Sequence, residues 1–192
     1  MGGGNGIYSF YSIACGANKA INLEPFASGS TLHKSNNLDV LIKIETINKT
    51  IQEFETKDKF DVIILHDSIN HLNEQLFSEI HMNQEYFEKY QNLISKIVSL
   101  LKTEGSIVIT DCGRSNFWGD LGLRNPFAPT IDWNLHQNPR LVLKLFSKYD
   151  FDFNLRWSPF KRFGVIGKFI SFFGEKTSYF LQSHYNIQIN FK

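Results

Sequence analysis

The sequence is poor in cysteine: of its 192 residues only Cys15 and Cys112 carry a thiol. One bridge at most can form, too few for a small secreted disulfide scaffold. The two lie far apart and match no metal-ligand spacing, so no metal site is expected and both read as structural or incidental thiols, one on a helix and one at a strand end. An excess of one charge is also missing, since 20 Lys and Arg stand against 19 Asp and Glu for a formal net charge of +1. Without a global field, no nucleic-acid partner is expected. No window nears the ~18 consecutive apolar residues of a membrane span. The opening MGGGNG lacks a basic run leading into an apolar stretch, so no signal peptide is expected there and the protein reads as cytoplasmic. There is no internal repeat.

What the sequence does have is apolar material. Hydrophobic residues make up 42% and aromatic residues 15%, with 18 Phe, enough to bury a core in one domain spanning 1–192. Along the chain, Ile7 to Ala14 reads as a short helix stopped at Cys15-Gly16-Ala17. Lys19 to Leu23 reads as a short strand ending at Glu24-Pro25, and Phe26 to Asn37 as loop or weak helix. Leu38 to Ile47 alternates as a strand does, although periodicity leaves a helix open. Lys59 to Leu65 contains FDVIIL, a β-branched run bounded by polar residues, and reads as a central strand. Tyr86 to Leu101 repeats apolar residues at helical spacing; Lys102-Thr103-Glu104-Gly105 is expected to end that helix before the strand SIVIT.

Residues 111–138 have no period and are dense in Gly, Asn, Pro and aromatics. A segment of ~28 residues is longer than structural loops usually run, which points to an active-site or cover segment. Pro139 to Tyr149 reads as a helix with Pro in its first turn. FDFNLRW and YNIQINF are expected as strands flanking a basic, aromatic insert. Alternating strands and helices argue for a mostly parallel sheet with helices on both faces and an antiparallel C-terminal edge.

The first chemical motif is Gly2-Gly3-Gly4-Asn5-Gly6, ahead of the first helix. A turn without β-carbons lets backbone N–H groups approach a ligand. Glu24, about 18 positions after Gly6, stands at the end of the next strand, where a carboxylate can accept hydrogen bonds from both ribose hydroxyls. A dinucleotide fingerprint would be G-x-G-x-x-G; here the spacing is G-x-G-x-G and Ile7 occupies the place of the third glycine. That spacing disfavours a nucleotide-dependent oxidoreductase.

The string GGGNGIYSFYSIACGANKAINLEP resembles the first two cofactor motifs of class I S-adenosylmethionine-dependent methyltransferases. FDVIILHDSINHL resembles their fourth-strand motif, and LISKIVSLLKTEGSIVITD their next helix, turn and strand, with Thr103-Glu104-Gly105 in place of Pro-Gly-Gly. The resemblance covers essentially the whole chain in matching order. It implies a Rossmann-like sheet with S-adenosylmethionine as cofactor. Gly2, Gly4 and Gly6 would contact its amino-acid part and Glu24 its ribose. In NKTIQ, Asn48, Thr50 and Ile51 match the adenine-contacting segment, with Asn48 where the family often has Asp. His66 and Asp67 would lie beside the methyl donor. Only Met1 precedes the glycines, so the family's central first strand has no counterpart. A truncated chain is expected, with unpaired ladder groups and an apolar trough on the two neighbouring strands.

Methyl transfer to oxygen or nitrogen needs donor and acceptor held in line and, for some acceptors, a base. His136, His71 and Asp67 are the candidates. His71 could equally hydrogen-bond a loop, whereas His136 sits among Trp133, Asn134, Gln137 and Asn138, side chains that form pockets. Asp111 could contact substrate or cap a helix. Asp67, Asp111 and Asn116 form no spacing that demands magnesium. The tail FKRFGVIGKFISFFGEKTSYF fits core packing or a homodimer contact ahead of an anionic acceptor or the membrane surface. The resulting expectation is methylation of a small-molecule or glycan acceptor, at oxygen. The other open reading is a non-catalytic fold remnant or a partner-binding protein.

Overall fold

The computed structural model describes residues 1–26, 42–157 and 174–192. Its first helix, α1 (Ile7–Ala14), ends in paired backbone bonds: Ala17 N–H donates to Ser12 C=O and Gly16 N–H to Ile13 C=O. Gly16 makes this stop possible by adopting φ 101°, a region that L side chains enter at a cost. Strands β1 (Ala20–Leu23) and β2 (Ile44–Ile47) then pair in parallel, from Ala20 opposite Ile44 to Leu23 opposite Ile47. Of the strand expected over 38–47, the last four residues are observed; 38–41, and 27–37 of the loop or weak helix expected over 26–37, lie outside the described residues.

Four strands make the second sheet, in the order β3-β4-β6-β5: β3 (Phe60–His66), β4 (Leu101–Cys112), β5 (Phe151–Trp157) and β6 (His184–Phe191). The β3–β4 ladder is parallel and the β4–β6 and β5–β6 ladders are antiparallel. The antiparallel C-terminal edge expected from the sequence is therefore present. Lys102-Thr103-Glu104-Gly105 does not simply end a helix. Phe60 pairs with Leu101 and Val62 with Ser106, so these four residues bulge out within β4, with Glu104 at φ 61°. The basic, aromatic insert over 158–173 lies outside the described residues.

Between β3 and β4 run α2 (Glu74–Glu79) and α3 (Gln84–Ser99). The Asn83 side chain starts α3 by accepting from the Glu85 and Tyr86 amides, replacing partners that a helix's first turn lacks. Tyr90, Ile94 and Ile97 on α3 join Ile63 and Leu65 of β3, Ile107 and Ile109 of β4 and Ile187 and Ile189 of β6 in one core. Each such side chain contributes about 1.5–3 kcal/mol on burial. The helix expected over 139–149 is shorter, α5 (Pro139–Lys144), following α4 (Phe117–Asp120); α6 (Gly174–Phe180) precedes β6. Among the described residues no helix is long and apolar enough to cross a membrane.

The two sheets are separated by a slot. A cavity of about 790 Å³ is lined by Ala20–Leu23 on one side and Phe60–Ile64 on the other. Residues 1–3 cross its carboxyl end: the Met1 amino group donates to Ile64 C=O at 2.8 Å, and Gly3 N–H donates to Leu23 C=O at 3.2 Å. Residues 1–3 thus bridge both strands. This is the apolar trough expected where a central strand would lie.

Candidate functional site

Gly2, Gly4 and Gly6 have φ of 59°, 48° and 74°, so the alternate glycines are required by the backbone itself. A β-carbon on Gly2 would stand 2.6 Å from Ser68 Cβ, whereas one on Gly4 would meet nothing within 4 Å. The turn is packed beneath and open above. Asn22, buried in β1, braces it from below by donating to Gly4 C=O at 3.3 Å.

Glu24 follows β1 and is buried. Its Oε2 accepts the Gly4 N–H at 2.8 Å and its Oε1 the Phe26 N–H at 3.1 Å. A carboxylate offers about four lone-pair positions, so among the described residues two are left for hydroxyl donors. Asn48 donates to Glu24 C=O at 3.1 Å, bringing the segment after β2 beside the acidic residue. Thr50 turns instead to Glu53, whose Oε2 accepts from the Thr50 amide and hydroxyl. Ile51 is buried in the core.

At the end of β3, the Tyr8 ring from α1 lies over His66, with centroids 4.5 Å apart. His66 Nδ1 is 3.2 Å from Asp67 Oδ2, and Asp67 has φ 45°. The glycine turn, β1 end and β3 end therefore converge, joined by Gly2 against Ser68 and Tyr8 against His66. The large cavity reaches this place only at one end, through Gly2, Gly3, Tyr8 and His66.

A second polar group lies at the end of β4. Ile107, Ile109 and Asp111 alternate onto the buried face, opposite Ile189, Ile187 and Tyr185 of β6. Asp111 thus continues an isoleucine row. Its Oδ1 accepts the Cys112 N–H at 2.7 Å and is 2.8 Å from His136 Nδ1, with the two side chains 1% and 12% exposed. Its Oδ2 is buried without a hydrogen-bond partner among the described residues. Cys112 Sγ is 3.2 Å from His184 Nε2, while His184 Nδ1 is 3.0 Å from Gln182 C=O. A carbonyl only accepts, so in neutral His184 the Nδ1 carries the hydrogen and Nε2 receives the Cys112 S–H. Burial, then the charges of Asp111 and Asp67, pushes the Cys112 thiol up. Burial holds His184 below its ordinary value. The phenols of Tyr90 and Tyr185 are raised by burial first and by Asp111 second.

No family model matches this sequence, and no curated protein matches it. Solved structures match its fold. The plantazolicin methyltransferase BpumL in complex with SAH aligns with a TM-score of 0.60 at 14% identity, over 100% of this chain and 74% of that one. A candidate S-adenosylmethionine-dependent methyltransferase from Listeria monocytogenes aligns at 0.63 and 11% identity, over 100% and 89%. One from Thermotoga maritima aligns at 0.57 and 12%, over 100% and 79%. The chain has the class I methyltransferase fold.

On this methyltransferase fold, Gly2, Gly4, Gly6, Glu24 and Asn48 come together as one group, with His66 and Asp67 beside it. The candidate bases separate. His136 is fixed against Asp111, whereas exposed His71 places Nδ1 2.6 Å from Glu74 Oε1. Asp111 caps no helix; its oxygen meets the next amide and His136. Sequence reasoning missed Asn22, the Cys112–His184 contact and the depth of Asp111. Asn22 had a signal, a lone amide in the apolar run KAINL. So had Asp111, at the third place of the alternation I-x-I-x-D.

Proposed function

We propose that this chain is an S-adenosylmethionine-dependent methyltransferase acting on a small-molecule or glycan acceptor, at oxygen. The observation that carries the reading is the glycine turn tied to Glu24 by the 2.8 Å bond from Gly4. An open face above Gly4 and a buried carboxylate with two acceptor positions unused among the described residues suit a nucleoside bearing a charged amino-acid arm. Neighbours of the same fold crystallised with SAH support it. Gly2, Gly4 and Gly6 would hold the amino-acid arm, Glu24 the ribose, Asn48, Thr50 and Ile51 the adenine side, and His66 and Asp67 the methyl end. The cofactor supplies an electrophilic methyl group when bound.

The chain's own part is to place the acceptor in line and to favour loss of its proton. We assign that to the Asp111–His136 pair, with Asp67 at the adjoining strand end. His71 we place outside the chemistry, because Glu74 engages it on the surface.

Calorimetric titration with S-adenosylmethionine and SAH tests the reading. Micromolar binding is expected, weakened at least tenfold in Glu24→Ala. A second reading, a fold remnant without catalysis, is favoured by the slot between β1 and β3. A folded chain that binds neither ligand would establish that reading instead.

A further inference from the structure

The polar group at the end of β4 holds more than an acceptor-side pair needs. Asp111, Cys112 and His136 place one ligand atom each within 4.8 Å of one another. Asp111 and Cys112 end β4, and His136 comes from the far end of the cover segment over 111–138. His184 reaches the same sulfur from β6. Asp111 and Cys112 are buried and both histidines half-buried, and one oxygen of the Asp111 carboxylate has no hydrogen-bond partner among the described residues. Burying such a charge without a counter-charge is costly, and the usual remedies are an ion pair or a metal. His136 serves the first only when protonated.

We propose that Asp111, Cys112 and His136 form a zinc site. A thiolate beside an imidazole selects zinc over magnesium or calcium, which take oxygen donors. Zinc bonds of about 2.0–2.3 Å to O, N and S put tetrahedral ligand atoms roughly 3.3–3.8 Å apart, so a cluster already within 4.8 Å needs only small side-chain shifts. Binding requires the thiolate. The Cys112 proton is released to solvent as the metal binds. Three protein ligands leave a fourth position open, where a hydroxyl acceptor would be acidified, so Asp111 and His136 would act on its proton through the metal. That last role rests on the function proposed above; the metal site itself does not. The site also ties the cover segment to β4, which a hydrogen-bonded pair alone does weakly.

The test is cobalt titration of the full chain after stripping with a chelator. One equivalent of Co²⁺ is expected to produce a thiolate-to-cobalt charge-transfer band and the visible bands of tetrahedral cobalt, and equimolar Zn²⁺ should erase them. The protein has only two cysteines, so Cys15→Ser should keep the charge-transfer band and Cys112→Ser should lose it. Asp111→Asn should weaken cobalt binding at least tenfold. A wild-type chain that binds SAH yet takes up no stoichiometric cobalt overturns the zinc site and leaves the methyltransferase reading standing. Charge transfer that survives Cys112→Ser also overturns it. Cobalt uptake without SAH binding would uphold the site and reject the cofactor reading, so the two fail separately.

Discussion

Among single residues, Met1 shows how burial becomes a pH dependence. Its amino group donates to Ile64 C=O, and burial lowers it to about 6 against the raising pull of Glu24. In the unfolded chain an α-amino group titrates near 8. The folded state therefore prefers the neutral amine, while the unfolded state takes up a proton as pH falls through about 8. Stability is full above that value and declines until about pH 6, at up to roughly 1.4 kcal/mol per pH unit. Urea unfolding between pH 6 and pH 9 should show the decline, and N-terminal acetylation should remove it. Asp111 makes the complementary point: its place in the alternation was readable, but its partner His136, 25 positions away, was not.

The glycine turn illustrates the scale of an element. All three alternate glycines sit at positive φ, yet their surroundings differ, so substitutions should separate backbone strain from crowding. Gly4→Ala has open space and should cost about 1–2 kcal/mol of stability, the penalty for a left-handed L residue. Gly2→Ala carries the same penalty and in addition forces its β-carbon within 2.6 Å of Ser68 Cβ, so it should cost clearly more. Equal losses in denaturant melts would contradict this account. The motif was legible because glycine is the residue that such turns need. The bulge at Lys102–Gly105 was not, since its origin is a pairing register between β3 and β4 that no local pattern encodes.

For the molecule as a whole, the slot matters most. Two sheets that would share a strand instead face each other across a cavity lined by Ala20, Ile21, Leu23, Val62 and Ile64. Apolar surface on both sides favours one parallel extended segment between them. A chain extended before Met1 by five or six Val and Ile residues should melt several degrees higher than one extended by Gly and Ser. Equal melting temperatures would mean that the slot does not accept a strand.

Periodicity and punctuation in the sequence were enough to place α1, β3, α3, the two C-terminal strands and the glycine turn, because short-range steric and hydrophobic patterns govern each of them. They also led to the fold through the order of those pieces. The tertiary structure decided what depends on distance: the closure of Glu24 onto Gly4, the pairing of Asp111 with His136, and the meeting of Cys112 and His184 from remote segments. Contacts of that kind arise only when strand order and register bring separate parts of the chain together, and a single sequence carries no periodic trace of them.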